Sequence, residues 1–282
     1  MQDPGTRLWL PPLALAGCVR AVMLRDTRGR GLDALQRENY FPAAPLVSLT
    51  WWAEGSSEWL PTPGFSAPPP EARHLSLMLA GPFTLPTHTR DVGETCALKL
   101  LLLPDAFIAL TGVAVDRLVN QVGDARELLP ADWRDWAEAV ATAANDAARL
   151  QLLEDFLLPR WQALGTQRPG QRYADRTEAL AVRAATSAAG RSLRQLERRI
   201  KAWAGLPLRE LRAVSRAENA FYAVAAAADR PGFSWADIAA DNDYADQSHL
   251  CRETRRLTGF SPEELRRRMQ VEEAFWAYRL WR

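Results

Sequence analysis

Residues 234–262 read Ser234-Trp-Ala-Asp-Ile-Ala-Ala-Asp-Asn-Asp-Tyr-Ala-Asp-Gln-Ser-His-Leu-Cys-Arg-Glu-Thr-Arg-Arg-Leu-Thr-Gly-Phe-Ser-Pro262. Ser234 has the side chain of a helix N-cap, and Ile238 and Ala239 give the helix it starts an inner face. Asp241-Asn242-Asp243 is a turn. A second helix follows, with Leu250 and Leu257 turned inward and Ser248, Cys251, Arg252 and Arg255 on the opposite face. Gly259 stops it. Ser261 is placed to cap a third helix, Pro262 fits its first turn, and Glu264 completes a capping box. The result is a pair of short helices at a tight turn, the second one polar and basic on its outside.

The same plan occurs once more, 54 residues upstream. Leu196 maps to Leu250, Arg198 to Arg252, Gly205 to Gly259, Glu210 to Glu264 and Leu211 to Leu265. In this first unit Leu193, Leu196 and Ile200 are expected to form the apolar stripe. Arg191, Arg194, Gln195 and Arg198 point away from it. A helix packed on one side and carrying Arg and Gln on the other suits the major groove, where Arg reads guanine and Gln reads adenine. For the first unit taken alone, an ordinary solvated face is the simpler explanation.

The strings Trp235-Ala-Asp-Ile-Ala-Ala, Tyr244-Ala-Asp-Gln-Ser-His-Leu-Cys-Arg-Glu and Gly259-Phe-Ser-Pro, with Ser192-Leu-Arg-Gln-Leu-Glu-Arg-Arg in the first unit, resemble the AraC/XylS-type transcriptional regulators over about residues 176–270. The resemblance implies two helix-turn-helix units joined by a long helix, here near Leu208–Ala228. It implies that reading helices at Ser192–Lys201 and Asp246–Arg256 enter successive major-groove segments. The candidate DNA-contacting residues are Ser192, Arg194, Gln195, Arg198 and Arg199 in the first helix. In the second they are Gln247, Ser248, His249, Cys251, Arg252 and Arg255. The chain departs from the family in several places. Asp243 stands where Gly is usual before the aromatic, Thr254 and Ile200 stand where an aromatic is usual, and Leu206-Pro207-Leu208 replaces a Ser-Pro. Asp tolerates the left-handed turn that Gly would supply.

Charge divides the 282 residues. From residue 166 onward there are 21 Lys and Arg against 15 Asp and Glu, a net of +6; residues 1–165 carry 14 against 19, a net of −5. Only the C-terminal part is suited to a polyanion. The fold expected is α+β: a strand-rich, sensor-like domain with following helices over residues 1–165, then an all-α DNA-binding domain over 166–282. Leu46–Trp52, Leu75–Leu79 and Ala97–Leu103 read as strands, and Pro61–Pro70, with five prolines, as a loop. A short helix is expected from Asp105 to Leu110. Trp133, Trp136, Ala137 and Val140, then Leu150, Leu153, Leu157 and Trp161, form two helical stripes. Gly165 to Gly170 reads as a linker. The N-terminal part weakly resembles the variable sensor portion of such regulators through Phe41-Pro42-Ala43 and its strand-then-helix order. Trp51, Trp52 and Trp59 are candidates to line an effector pocket, although core is the commoner fate of such residues.

Cys18, Cys96 and Cys251 and the three histidines are scattered, with no metal-ligand spacing, so no metal, cofactor or catalytic residue is expected. Leu15-Ala16-Gly17-Cys18 imitates a lipoprotein cleavage site, but Pro11 and Pro12 interrupt the stretch before it, and an ordinary buried segment is the better account. With no apolar run long enough to span a bilayer, no membrane role is expected. The expected location is the cytoplasm, with double-stranded DNA as partner. RNA polymerase, a small-molecule effector and a second copy of the chain are the other candidate partners. Two alternatives stay open: an enzyme fused to a targeting module, such as an alkyl-accepting repair protein, and a protein-binding module without DNA affinity. The first lacks a cysteine in a zinc-type cluster, and the retained Arg194, Arg198 and Arg252 speak against the second.

Overall fold

The computed structural model describes residues 5–62, 75–165, 173–186, 192–227 and 233–280. Most of the proline-rich segment and residues 166–170 of the expected linker lie outside the described residues.

The N-terminal part holds nine strands: β1 (Thr6–Trp9), β2 (Val19–Asp26), β3 (Glu38–Phe41), β4 (Val47–Glu54), β5 (Ser57–Trp59), β6 (Leu77–Ala80), β7 (Thr87–Asp91), β8 (Cys96–Leu102) and β9 (Val122–Asp124). They form a six-stranded sheet in the order β1-β2-β8-β4-β6-β9 and a three-stranded sheet in the order β3-β7-β5. Every pairing is antiparallel. The three strands anticipated from apolar runs correspond to β4, β6 and β8. The short helix after Pro104 is α1 (Pro104–Thr111), and α2 is a single turn, Ala125–Leu128.

Neighbouring side chains on a strand point to opposite faces, and the large sheet uses that alternation to make two different surfaces. One face is aliphatic. Leu98, Leu100 and Leu102 of β8 and Leu49 and Trp51 of β4 pack in one core with Trp133, Trp136, Ala137 and Val140 of α3 (Ala131–Thr142) and Leu153, Leu157 and Trp161 of α4 (Asp146–Ala163). The two helical stripes are thus core. The Trp51 indole donates to the Ala137 carbonyl at 2.9 Å, so its polar atom is satisfied inside that layer. Cys18 is fully buried in the same core. The opposite face carries Ser48, Thr50, Trp52, Ala97, Lys99 and Leu101, and lines a cavity together with the small sheet.

The C-terminal part is helical: α5 (Tyr173–Thr186), α6 (Leu193–Ala204), α7 (Leu208–Ala227), α8 (Trp235–Asp241), α9 (Gln247–Thr258), α10 (Pro262–Val271) and α11 (Trp276–Arg279). The 20 residues of α7 make a rod about 30 Å long at 1.5 Å per residue. Four of these helices, α6, α8, α9 and α10, begin at a residue whose side chain satisfies free N–H groups of the first turn. Ser192 accepts from Gln195 N–H, Ser234 from Ala236 and Asp237, Asp246 from His249, and Ser261 from Glu264. The capping box at Ser261 is only half formed, because the Glu264 carboxylate pairs with Arg268 at 3.2 Å.

Candidate nucleic-acid interface and effector cavity

The two units each place a helix after a tight turn, and their signals are local. Asp243 adopts φ 59°, the left-handed turn that its position demands. Gly205 and Gly259 end α6 and α9 at φ 73° and 87°, and each donates its N–H to a carbonyl four residues back. Ile200 with Leu206 and Leu211, and Leu250 with Ile238 and Ala239, supply the two small cores. The first stripe needs a correction: Leu193 is 82% exposed, and Leu196 and Ile200 carry the packing. Leu193 is the first residue of α6 and lies ahead of the turn that meets the core.

Of the candidate contacts, Ser192, Arg194 and Arg198 on α6 and Gln247, Ser248, Arg252 and Arg255 on α9 are exposed. Arg194, Arg198, Arg252 and Arg255 make no ion pair to a described residue, whereas the arginines on the inner sides are engaged. Arg216 of α7 makes a two-pronged contact with Glu253 of α9 at 2.7 and 3.2 Å, and Arg256 reaches Glu210 at 2.7 Å. Four candidates sit further in. Gln195 and Cys251 are half-buried. His249 accepts the Ala245 N–H on Nδ1 and stands edge-on to Tyr244. Arg199 donates to the Ala184 carbonyl at 2.9 Å, which ties α6 to the end of α5.

The cavity measures about 460 Å³ and lies where the two domains meet. Its walls are the inward face of the large sheet and the inward residues of the small one: Asn39 and Phe41 on β3, Thr87, Thr89 and Asp91 on β7, Ser57 and Trp59 on β5. Trp52 and Trp59 line it, as the alternation beside Trp51 requires. Trp276 and Tyr278, from the end of the chain, also line it. Lys99 projects into this space from the middle of β8, flanked in register by Met23 and Thr50. It was missed as a site residue because it sits inside an apolar run; a charge in the middle of such a run was the available signal. Burial pulls its amine down to about 8, with Asp91 partly offsetting that. Burial likewise raises the Asp91 carboxyl, against hydrogen bonds from Ser57 and Asn39. Several polar atoms on the walls have no partner among the described residues, including Thr50 Oγ1, Trp52 Nε1 and Asp91 Oδ2.

The second helix-turn-helix unit lines the cavity directly, through Leu250, Thr254 and Leu257 of α9 and Leu265 and Met269 of α10, and its following rings also pack on the outer side of the small sheet. Tyr40, pointing outward from β3, stacks on His88 at 4.0 Å and on Phe275 at 4.8 Å, and meets Phe260 edge-on at 5.3 Å. Phe260 follows the glycine that ends α9. The Ala43 N–H donates to the Leu257 carbonyl, within the last turn of α9, at 2.7 Å. Past α10, Glu273 accepts from Arg25 at 2.6 Å, Arg30 at 3.0 Å and Arg279 at 2.9 Å, and Trp276 donates to Asn39 at 2.6 Å. On the other flank, Glu218 of α7 accepts from Arg20 of β2 at 2.6 Å and from the Tyr173 N–H at 2.8 Å.

Residues 185–268 match the family described as a helix-turn-helix domain. No curated protein matches the chain. Among solved structures, a variant of apo ToxT from Vibrio cholerae strain SCE256 is 11% identical, with TM-score 0.41 over 93% of this chain and 97% of that one. Wild-type ToxT from the same strain, bound to an unsaturated fatty acid, is 11% identical, with TM-score 0.35 over 94% and 95%. The AraC-like transcriptional activator CuxR is 11% identical, with TM-score 0.23 over 99% and 91%. The C-terminal part of the chain carries a helix-turn-helix domain of the AraC type, the DNA-binding part of a transcription regulator, behind a strand-rich N-terminal domain.

Proposed function

We propose that the protein reads DNA with two helices, α6 and α9, and that a small molecule in the interdomain cavity sets how well it does so. The observation that carries the first half is the set of exposed arginines on equivalent outer faces, Arg194 and Arg198 on one helix and Arg252 and Arg255 on the other, with no carboxylate partner among the described residues. A rod of about 30 Å between the units suits groove segments that recur about every 34 Å. Residues 166–282 form the DNA-binding part, and residues 1–165 the sensor or dimerisation part. RNA polymerase is the natural further partner, and the cytoplasm the compartment. No described helix is long and apolar enough to cross a membrane.

The modulation half rests on shared walls. A ligand touching Asn39, Phe41 or Trp276 touches the residues that hold the second unit in place, so occupancy of the cavity and the position of α9 are coupled through contacts made by both domains.

The test is Arg252→Ala on a native operator and on single-base variants of it. A bidentate contact to guanine is worth about 1–3 kcal/mol of discrimination, so preference at one or two adjacent base pairs should vanish while the melting temperature stays put. A uniform drop across all variants makes Arg252 a phosphate anchor instead. If affinity does not fall between low and moderate salt, the arginines are not meeting phosphates, and the interface assignment fails.

A further inference from the structure

Lysine is scarce in this chain. Of its 35 basic residues only Lys99 and Lys201 are lysines; the rest are arginine. A guanidinium stays protonated, whereas an amine can give up its proton and become a nucleophile. Lys201 is exposed on α6. Lys99 sits on the third of six strands, at the centre of the cavity face.

Nothing among the described residues neutralises the Lys99 amine by direct contact. It makes no hydrogen bond or ion pair to them, and its nitrogen lies 4.6 Å from the centre of the Phe41 ring. Asp91 is near enough for its charge to act on Lys99, but its Oδ1 is held by Ser57 and Asn39 and its Oδ2 has no partner among the described residues. With desolvation on the cavity wall lowering it to about 8, about a tenth of the amine is neutral at pH 7, against well under a hundredth for an exposed lysine. Met23, Trp52, Met78 and Leu101 provide apolar walls around it.

We propose that the cavity takes an apolar aldehyde or ketone and holds it reversibly as an imine on Lys99 Nζ. The Nζ lone pair attacks the carbonyl carbon, a C–N bond forms, the π pair moves to oxygen and a proton passes from nitrogen to that oxygen. The carbinolamine then loses water. Asp91 in its protonated form gives its proton to the departing hydroxyl, the nitrogen lone pair closes C=N, and the nitrogen returns a proton to Asp91. One carbonyl and one amine become one imine and one water, with no redox partner. The raised carboxyl of Asp91 suits that shuttle. The attachment deepens the effector role proposed above and depends on it for its regulatory meaning, not for its chemistry.

The experiment uses the full chain at pH 7.5 with decanal, with and without cyanoborohydride, followed by peptide mass mapping. Decanol and decanoate serve as controls. The expected result is a reduced decyl adduct on Lys99 at least about tenfold above that on Lys201, following the difference in neutral amine. Tryptophan fluorescence should change with decanal and lose that change in Lys99→Arg, which keeps the positive charge and cannot form an imine. Equal or greater labelling of Lys201, or an undiminished decanal response in Lys99→Arg, overturns the proposal. Trapping at Lys99 with no change in operator affinity would sink the effector role and leave the imine standing. Decanoate altering operator affinity in wild type and Lys99→Arg alike, without trapping, would do the reverse.

Discussion

The two helix-turn-helix units share a plan but are attached to the N-terminal domain in different ways. The first meets it at its turn glycine and through α5, where Arg176 pairs with Asp105 and donates to the Gly17 carbonyl. A Cβ built on Gly205 would lie 2.9 Å from Val115 Cγ1, 3.2 Å from Val119 and 3.3 Å from Pro82. That is steric contact between rigid apolar surfaces. The second has room at the equivalent glycine, since the nearest atom to a Cβ on Gly259 is Pro86 Cγ at 3.9 Å. It is held by a larger set of directional contacts: the Ala43–Leu257 hydrogen bond, the ring cluster of Tyr40, Phe260 and Phe275, and the carboxylate of Glu273 among three arginines. Directional contacts on a wall of the cavity can be remade when the cavity fills. A steric seat away from the cavity is indifferent to its contents. On the function proposed above, the second unit is the responsive one and the first the fixed one.

The strongest challenge to that contrast is Phe275→Ala. Phe275 is fully buried between Tyr40, Phe260 and Tyr278, and its removal should cost about 4 kcal/mol in urea unfolding, the range for a large aromatic cut from a core. A loss under about 1 kcal/mol would mean that the cluster is not what fastens the second unit. Next in size is Glu273→Gln, which leaves the guanidinium of Arg25, 4% exposed, without its charge partner. About 3 kcal/mol should be lost, read as a lower denaturation midpoint.

Lys99→Met should act in the opposite direction. An amine held near 8 in the fold, against 10.5 for the free group, weakens the folded state while the pH is below about 8. That cost fades as pH rises from 8 towards 10.5, where the unfolded chain sheds the same proton. The variant should therefore gain on the order of 2 kcal/mol at pH 7, and the gain should shrink steadily above pH 8. A gain independent of pH would place its cause in packing rather than in charge. The smallest effect is the comparison of Gly205→Ala with Gly259→Ala. Both force a side chain into the left-handed region, at about 1 kcal/mol each, and only the first adds a clash with Val115, so it should be the worse by about 1 kcal/mol. Equal losses in thermal melts would remove the steric half of the contrast.

The second unit was legible in the sequence because its signals are local. Ser234, Asp246 and Ser261 cap the helices that follow them, and Asp243 takes the turn angle its position requires. In the first unit the pattern held for Ile200 but not for Leu193, because periodicity cannot tell which turn of a helix reaches its neighbour. The inward bond of Arg199 to Ala184 depends on where α5 ends, which the wheel of α6 does not encode. The interdomain joint was invisible. Asn39 and Trp276 are 237 positions apart, and neither has a local pattern that names the other. Trp52 and Lys99 needed only the alternation of a strand, but strand phase could be fixed only once Trp51 was seen to face α3.

Strand β3 carries two vocabularies on alternating letters. Asn39 and Phe41 face the cavity, and Glu38 and Tyr40 face away from it, towards His88, Arg90 and the C-terminal rings. Substitution at 38 or 40 can alter the ring and carboxylate contacts while leaving the cavity side untouched, whereas substitution at 39 or 41 changes the cavity wall and the contact with Trp276 together. Insertion or deletion of a single residue in β3 has no such freedom. It exchanges the two sets at once, presenting Tyr40 to the cavity and Asn39 to Phe275. Across descendants of this chain, β3 should tolerate changes of side chain far more readily than any change of length.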